Sequence, residues 1–221
     1  FADGMGFDGS CIEGFSKRQE SDMLAYPDPS TFQVLPWRPE SNAVGRMFCD
    51  IKMPDGTPFE GDGRHLLREA NRRARRAGYS LTMGTASEFY LFELDENGHP
   101  TTIPHDHGGS YFDLTSLDSA SDLRRDTVLT LEKMGIPVEY SHHEMGPSQH
   151  EIDLRYADAL SMADAVMTYK QVVKEIAMKH GVYASFMPKP VPEASGKSSI
   201  AVVRPGVDPR TAKHVFIITA Y

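Results

Sequence analysis

Glu88, Glu144 and Glu151 lie in or beside strand-like apolar runs. A carboxylate among apolar neighbours has to be solvated, paired or bound to a metal. The alternation of a strand shows which side chains can converge. In the run from Gln149 to Tyr156, Gln149, Glu151, Asp153 and Arg155 share one face, and His150, Ile152, Leu154 and Tyr156 share the other. The first face is too acidic for a core. It suits the floor of a cleft that holds a hard cation, because Mg²⁺ and Mn²⁺ favour carboxylate oxygens and keep waters that phosphates can replace. Any one of the three glutamates alone reads as an exposed strand residue. The three together carry the expectation.

Histidine is the uneven item of the composition. Of nine, six lie between His99 and His150. His142-His143-Glu144 invites a zinc reading, but neighbours on a strand point to opposite faces, so the two histidines do not readily share one ion. There is no HExxH helix and no cysteine partner, so a zinc hydrolase is not expected.

The elements that must position these groups are legible from periodicity. Phe32 to Leu35 and Val44 to Met53 read as strands, the second closed by the Pro54-Asp55-Gly56-Thr57 turn. Arg64 to Ala77 reads as a helix with Leu67, Ala70, Ala74 and Ala77 on one face, ended by Gly78. Its six arginines read as a solvated face, with Glu69, Arg72, Arg73 and Arg76 toward water, rather than as a phosphate patch. Leu81 to Leu94 is a strand, and Leu123 to Met134 a second helix. Pro137 to Glu144 and Gln149 to Tyr156 form a hairpin around Gly146-Pro147. Ser161 to His180 is the clearest helix. Ser161 and Asp164 suggest a capping box, and Ala163, Val166, Met167, Val173, Ile176 and Ala177 an apolar face. Tyr183 to Met187 is a last strand. Hairpin-joined strands among helices predict an α+β fold rather than a doubly wound parallel sheet.

The chain has 221 residues, with 23 basic and 31 acidic side chains and a net charge of −8. That length supports one large or two small domains with a real core. The acidic balance argues against a nucleic-acid partner. No run approaches the roughly 20 apolar residues that span a bilayer, and no membrane partner is expected. Cys11 and Cys49 are the only cysteines, which together with the lack of a signal-like start reads as a reducing cytoplasm. The chain begins with Phe1 rather than Met, which is read as a start inside a longer protein.

The order of motifs is more specific than any one of them. Phe7-Asp8-Gly9-Ser10, Glu20-Ser21-Asp22-Met23, Phe48-Cys49-Asp50, Glu88-Phe89-Tyr90-Leu91-Phe92, Tyr111-Phe112-Asp113, His142-His143-Glu144 with Gln149-His150-Glu151, and Phe186-Met187-Pro188-Lys189-Pro190 follow in register. This series resembles the bacterial (type I) glutamine synthetase family from about residue 1 to 190. The resemblance implies a partial β-grasp N-terminal domain over 1–60. It also implies the N-terminal part of a catalytic domain over 61–190, a curved antiparallel sheet with flanking helices, and a tail over 191–221 that does not match. Roughly half a synthetase is implied. The implied reaction is ATP-dependent formation of glutamine from glutamate and ammonia through γ-glutamyl phosphate, with Mg²⁺ or Mn²⁺. A homo-oligomer with sites shared between subunits is implied as well. A related ligase that joins glutamate to another amine, and a non-catalytic fragment, stay open beside it.

Carried over by position, Glu88, Glu144 and Glu151 resemble the ligands of the metal on the glutamate side. Asp8 resembles the β-grasp aspartate that reaches a neighbouring subunit's site and binds and deprotonates ammonium. Tyr111 resembles part of that ammonium and glutamate pocket. Glu139 resembles a nucleotide-side residue, and Tyr156 the aromatic that stacks on adenine, a core aromatic being the other reading of Tyr156.

Four departures stand out. The family's Glu-x-Glu is Ala86-Ser87-Glu88 here, so a methyl group replaces a ligand of the second, ATP-side metal. The second serine after Asp-Gly-Ser is Cys11, a weaker hydrogen-bonding group. Asp62-Gly63-Arg64 replaces Asp-Pro-Arg, a small change at a helix start. After Pro190 the family's Gly-Ser-Gly-Met-His-x-His is absent, and the segment to Tyr221 reads as a shifted frame or foreign junction. Ser195-Gly196-Lys197-Ser198 is not a P-loop, because the first glycine of that pattern falls on Val191.

Overall fold

In a computed structural model of the chain, residues 3–14, 22–106, 108–114, 118–191 and 200–206 are described, the last as backbone only. The chain divides into two compact units, Phe1–Ser80 and Leu81–Tyr221.

In the first unit, β1 (Met5–Asp8), β2 (Asp22–Pro27) and β5 (Cys49–Lys52) form an antiparallel sheet in the order β1-β2-β5. β3 (Gln33–Val34) and β4 (Gly45–Arg46) form a separate two-stranded ribbon. The single strand expected from Val44 to Met53 is therefore two. The break falls at Phe48, whose N–H donates to Thr31 Oγ1 and whose carbonyl accepts from Asp28 N, each at 2.8 Å. Those bonds carry the chain from one ribbon to the other sheet.

Helix α1 (Gly63–Arg76) begins on Asp62, whose carboxylate accepts from Arg64 N and Ile51 N at 3.0 Å each. The cap survives with glycine in the first helical position, and it also ties the helix to β5. Arg64 reaches Asp50 at 2.7 Å and Asp28 at 3.0 Å, and Arg68 reaches Asp50 at 2.7 Å. Arg72 pairs with Glu69 one turn away. The arginine row is thus an intramolecular ion-pair ladder on one side, with Arg72, Arg73 and Arg76 exposed on the other.

The second unit is an antiparallel sheet in the order β10-β6-β9-β8, made of β6 (Ser80–Leu94), β8 (Val138–His143), β9 (Gln149–Asp158) and β10 (Val182–Ser185). β7 (Pro100–Pro104) and β11 (Ile200–Gly206) also pair with β6. β11 lies in the tail that departs from the motif series. The rest of that tail's disputed sequence, 192–199 and 207–221, lies outside the described residues, as do residues 20 and 21 of the second motif. The ladder shifts register between Met83 and Thr85, between Phe92 and Leu94, and between Val138 and Tyr140. Such bulges bend a sheet, and the fold is the α+β arrangement with an antiparallel sheet that the sequence predicts.

Helices α2 (Ser121–Lys133) and α3 (Ala159–Lys179) complete the unit. Phe89, Leu91, Ile152, Leu131, Met162, Tyr169, Val172 and Val173 are fully or almost fully buried. The Tyr169 hydroxyl donates to the Ser87 carbonyl at 2.8 Å and pins α3 to β6. Two expectations for α3 are corrected. Its cap is Asp158, which accepts from Ser161 N at 3.2 Å, so Ser161 donates to the cap instead of forming it. Its buried stripe runs through Met162, Tyr169, Val173 and Ile176, and Met167 is exposed.

Candidate metal centre

Strand register decides which side chains meet. Glu88 of β6 faces Glu151 of β9, and Glu151 faces His142 of β8. The three form one row across three strands. The next row, Phe89–His150–His143, points to the opposite face. The two adjacent histidines therefore join different clusters.

The donor atoms of His142, Glu144 and Glu151 all lie within 4.8 Å of one another. Glu144 enters from the β8–β9 turn, where its N–H donates to the Gln149 carbonyl at 2.7 Å. One carboxylate oxygen stands 3.7 Å from His142 Nδ1 and the other accepts from Met145 N. Glu88 is buried and accepts from Gln149 Nε2 at 2.5 Å. Phe112 stacks flat on the His142 ring with centroids 4.5 Å apart, and Tyr111 meets it edge-on at 5.5 Å. Glu88, Glu144, Glu151 and Tyr111 are the residues to which the sequence motifs point, and the structure adds His142 to the group. Its signal was present: His142 and Glu144 are two apart and share a face.

The electrostatics of the row are strained. Burial, a hydrogen bond with Asp153, and the charges of Asp153, Glu88 and Glu144 push the Glu151 carboxyl up to about 9. Burial raises Asp153 as well. The phenol of Tyr90 is pushed up to about 12 by burial and by Glu88 and Glu144. A half-buried acidic group with so little opposing charge fits a divalent cation, whose charge would let all the carboxylates ionise together. Oxygen ligands with one imidazole suit Mg²⁺ or Mn²⁺.

Asp153 continues the acidic face and stands opposite Ala86 on β6. Glu139 is the extra residue of the β8 bulge, because Val138 pairs with Leu154 and Tyr140 with Asp153. It is exposed, and its charge adds to the rise at Asp153. Tyr156 is 69% exposed, so it is not a core aromatic. The alternation expected through Tyr156 fails because β9 spends one more residue than β6 between the Met83 and Thr85 pairings. In the first unit, Asp8 ends β1 and accepts from Ser10 N at 2.9 Å and Ser10 Oγ at 2.6 Å. These bonds hold its carboxyl below the ordinary value, and its charge in turn raises the Cys11 thiol.

Behind the row lies a second cluster, Asp106, His143 and His150, all buried. Asp106 Oδ1 sits 3.2 Å from His143 Nε2 and accepts from Ser148 N at 3.2 Å. His143 Nδ1 faces the Glu144 carbonyl at 2.5 Å. His150 Nδ1 faces Arg124 Nη1 at 3.0 Å, and Arg124 also forms a two-armed pair with the buried Asp118. Burial would raise Asp106 and lower His143, yet their mutual hydrogen bond shifts both the other way. Burial and the Arg124 charge keep His150 neutral. Sequence reasoning missed this cluster because Asp106 comes from a separate loop.

Family models match both units. Glutamine synthetase, catalytic domain, covers residues 60–200, and glutamine synthetase, beta-Grasp domain, covers residues 1–54. The chain is 54% identical over 191 residues to the glutamine synthetase of Methanosarcina mazei, covering 86% of this chain and 42% of that protein. It is 52% identical over 200 residues to that of Mycolicibacterium smegmatis, covering 90% and 45%. Among solved structures, apo GmaS aligns with a TM-score of 0.81 at 29% identity, over 93% of this chain and 48% of that one. A Plasmodium falciparum glutamine synthetase, at 24% identity and a TM-score of 0.81, covers 93% and 45% and shares the fold. The chain thus spans less than half the length of these relatives. Among the described residues no helix is long and apolar enough to cross a membrane.

Proposed function

The chain belongs to the glutamine synthetase family, and from that premise we propose that it carries the glutamate-side metal site of an ATP-dependent glutamate–ammonia ligase. The observation that carries the reading is the row Glu88–Glu151–His142, with Glu144 beside it. In this reading residues 1–60 belong to the β-grasp domain, 61–190 to the catalytic domain and 191–221 to a separate tail. The setting is the cytoplasm.

In the ligase reaction the γ-phosphoryl group of ATP moves to the side-chain carboxylate of glutamate, giving γ-glutamyl phosphate and ADP. Ammonia then attacks the acyl carbon, loses a proton and expels phosphate. A bound Mg²⁺ or Mn²⁺ supplies positive charge to the phosphate and to the substrate carboxylate. Glu88, Glu144 and Glu151 hold that ion, and His142 completes the set from β8. Asp8, kept ionised by Ser10, binds ammonium and takes its proton in a neighbouring copy of the chain, as part of a homo-oligomer. Tyr111, packed on His142, lines the ammonium and glutamate pocket. Glu139 lies on the nucleotide side, and the exposed ring of Tyr156 stacks on adenine.

Ala86 limits what the chain does alone. It offers no ligand for an ATP-side ion and stands opposite Asp153. We therefore expect the isolated chain to bind one divalent ion without turnover. Purified chain with glutamate, ammonium, ATP and Mn²⁺ tests both halves. Saturable Mn²⁺ binding that Glu151→Gln abolishes supports the site. Glutamine formation would overturn the expected inactivity, and no Mn²⁺ binding would overturn the site.

A further inference from the structure

The rear cluster has the residue types of a transition-metal site, but its hydrogen bonds commit it to protons. Arg124 is a donor only, so its N–H toward His150 Nδ1 fixes the His150 proton on Nε2. That nitrogen then has no lone pair for an ion. It points at Asp106 Oδ2, 3.9 Å away. His143 has an acceptor on each side, the Glu144 carbonyl at Nδ1 and Asp106 Oδ1 at Nε2. It therefore donates twice.

These bonds connect the rear of the hairpin to its front. Through His143, Asp106 holds the carbonyl of Glu144. Directly, it holds the N–H of Ser148, which adopts a left-handed backbone with φ of 52°. Glu144 and Ser148 are the two shoulders of the β8–β9 turn. Glu144 supplies a front carboxylate, and Gln149, next to Ser148, donates to Glu88. A left-handed backbone at a non-glycine residue persists only where its surroundings hold it. Gly109 closes the arrangement, since a Cβ there would stand 2.1 Å from His143 Nε2.

We propose that Asp106 is a positioning residue that clamps the β8–β9 turn from behind, through His143 and Ser148, and so sets Glu144 and Glu88 for the cation. The link to the cation rests on the metal reading given above, whereas the clamp itself does not. Outer partners of metal ligands are commonly worth 10- to 100-fold in affinity.

The test uses the full chain with Asp106→Asn, which keeps the size but not the charge, and Gly109→Ala, which pushes His143 aside and leaves Asp106 in place. Two readouts are needed. Amide hydrogen exchange over 144–149, measured without metal, is expected to rise at least about 10-fold in both variants, with α3 and β10 unchanged. Mn²⁺ affinity, followed by the loss of the free-ion spectroscopic signal, is expected to weaken about 10-fold or more. Exchange that rises while even the unaltered chain binds no Mn²⁺ upholds the clamp and sinks the metal reading alone. Wild-type exchange over 144–149 in both variants overturns the clamp. So does a uniform rise through α3 and β10, because Asp106 would then support the whole unit. Stoichiometric Zn²⁺ binding lost in Asp106→Asn but kept in Glu151→Gln would also overturn it, making the cluster a metal site.

Discussion

Glu88 on β6 and Glu151 on β9 are direct cross-strand partners, carboxylate opposite carboxylate. Two ionised carboxylates in that relation would destabilise a sheet, and with both side chains largely buried the metal-free fold pushes the Glu151 carboxyl up to about 9. His142 and Glu144 close on the same point. The pairing is a cost to the fold that a cation would turn into a binding site.

Removing one carboxylate should separate stability from binding. Glu151→Gln is expected to leave the metal-free melting temperature unchanged or higher, because the folded chain no longer has to keep a buried carboxyl protonated. The same substitution removes a carboxylate ligand and is expected to abolish saturable Mn²⁺ binding. Thermal melts with and without Mn²⁺ check both, and a variant that melts lower yet binds as tightly contradicts the assignment.

The Glu151 shift carries a sign in pH. Its carboxyl is pushed up to about 9 in the folded, metal-free chain, against an ordinary value of about 4.3. Between those values the folded state holds more protons than the unfolded one, so metal-free stability should fall as pH rises across that window. A cation displaces the proton, so binding should tighten with pH and release protons. Urea melts at pH 6 and 8.5, with EDTA or with Mn²⁺, should show a gap that widens at the higher pH. Titration calorimetry in buffers of different ionisation enthalpy counts the protons.

Arg124 and Asp118 form a buried two-armed pair. Arg124→Met leaves Asp118 buried and unpaired and also frees His150 Nδ1. It should cost about 3–5 kcal/mol in urea denaturation. Adding Asp118→Asn should recover part of that loss. A double variant no more stable than the single one would show that the ion pair is not the source.

The Tyr169 hydroxyl ties α3 to the strand that carries Glu88. Tyr169→Phe should cost about 1 kcal/mol, whereas Tyr169→Ala, which empties a fully buried site, should cost about 3–5 kcal/mol. Chemical denaturation of the two variants separates the hydrogen bond from the packing.

The sequence alone determined the periodic elements and the sharing of one face by Glu151 and Asp153. It also determined the ordered motifs that carry the family, down to the departure at Ala86. These are local properties, since alternation along a strand and spacing along a helix depend on neighbours in the chain. The tertiary structure decided what depends on pairing between distant segments. Register across β6, β9 and β8 brought His142 into the front row and turned His143 to the rear. A bulge put Tyr156 outside the core, and another set Glu139 apart on β8. Asp158 rather than Ser161 capped α3, because β9 runs directly into the helix. Asp106 reached His143 and Ser148 only because its loop folds behind a hairpin some 40 residues further on. A one-residue slip reverses every side chain of a strand, so the register between strands, which no single segment encodes, determined which of the acidic and histidine residues meet.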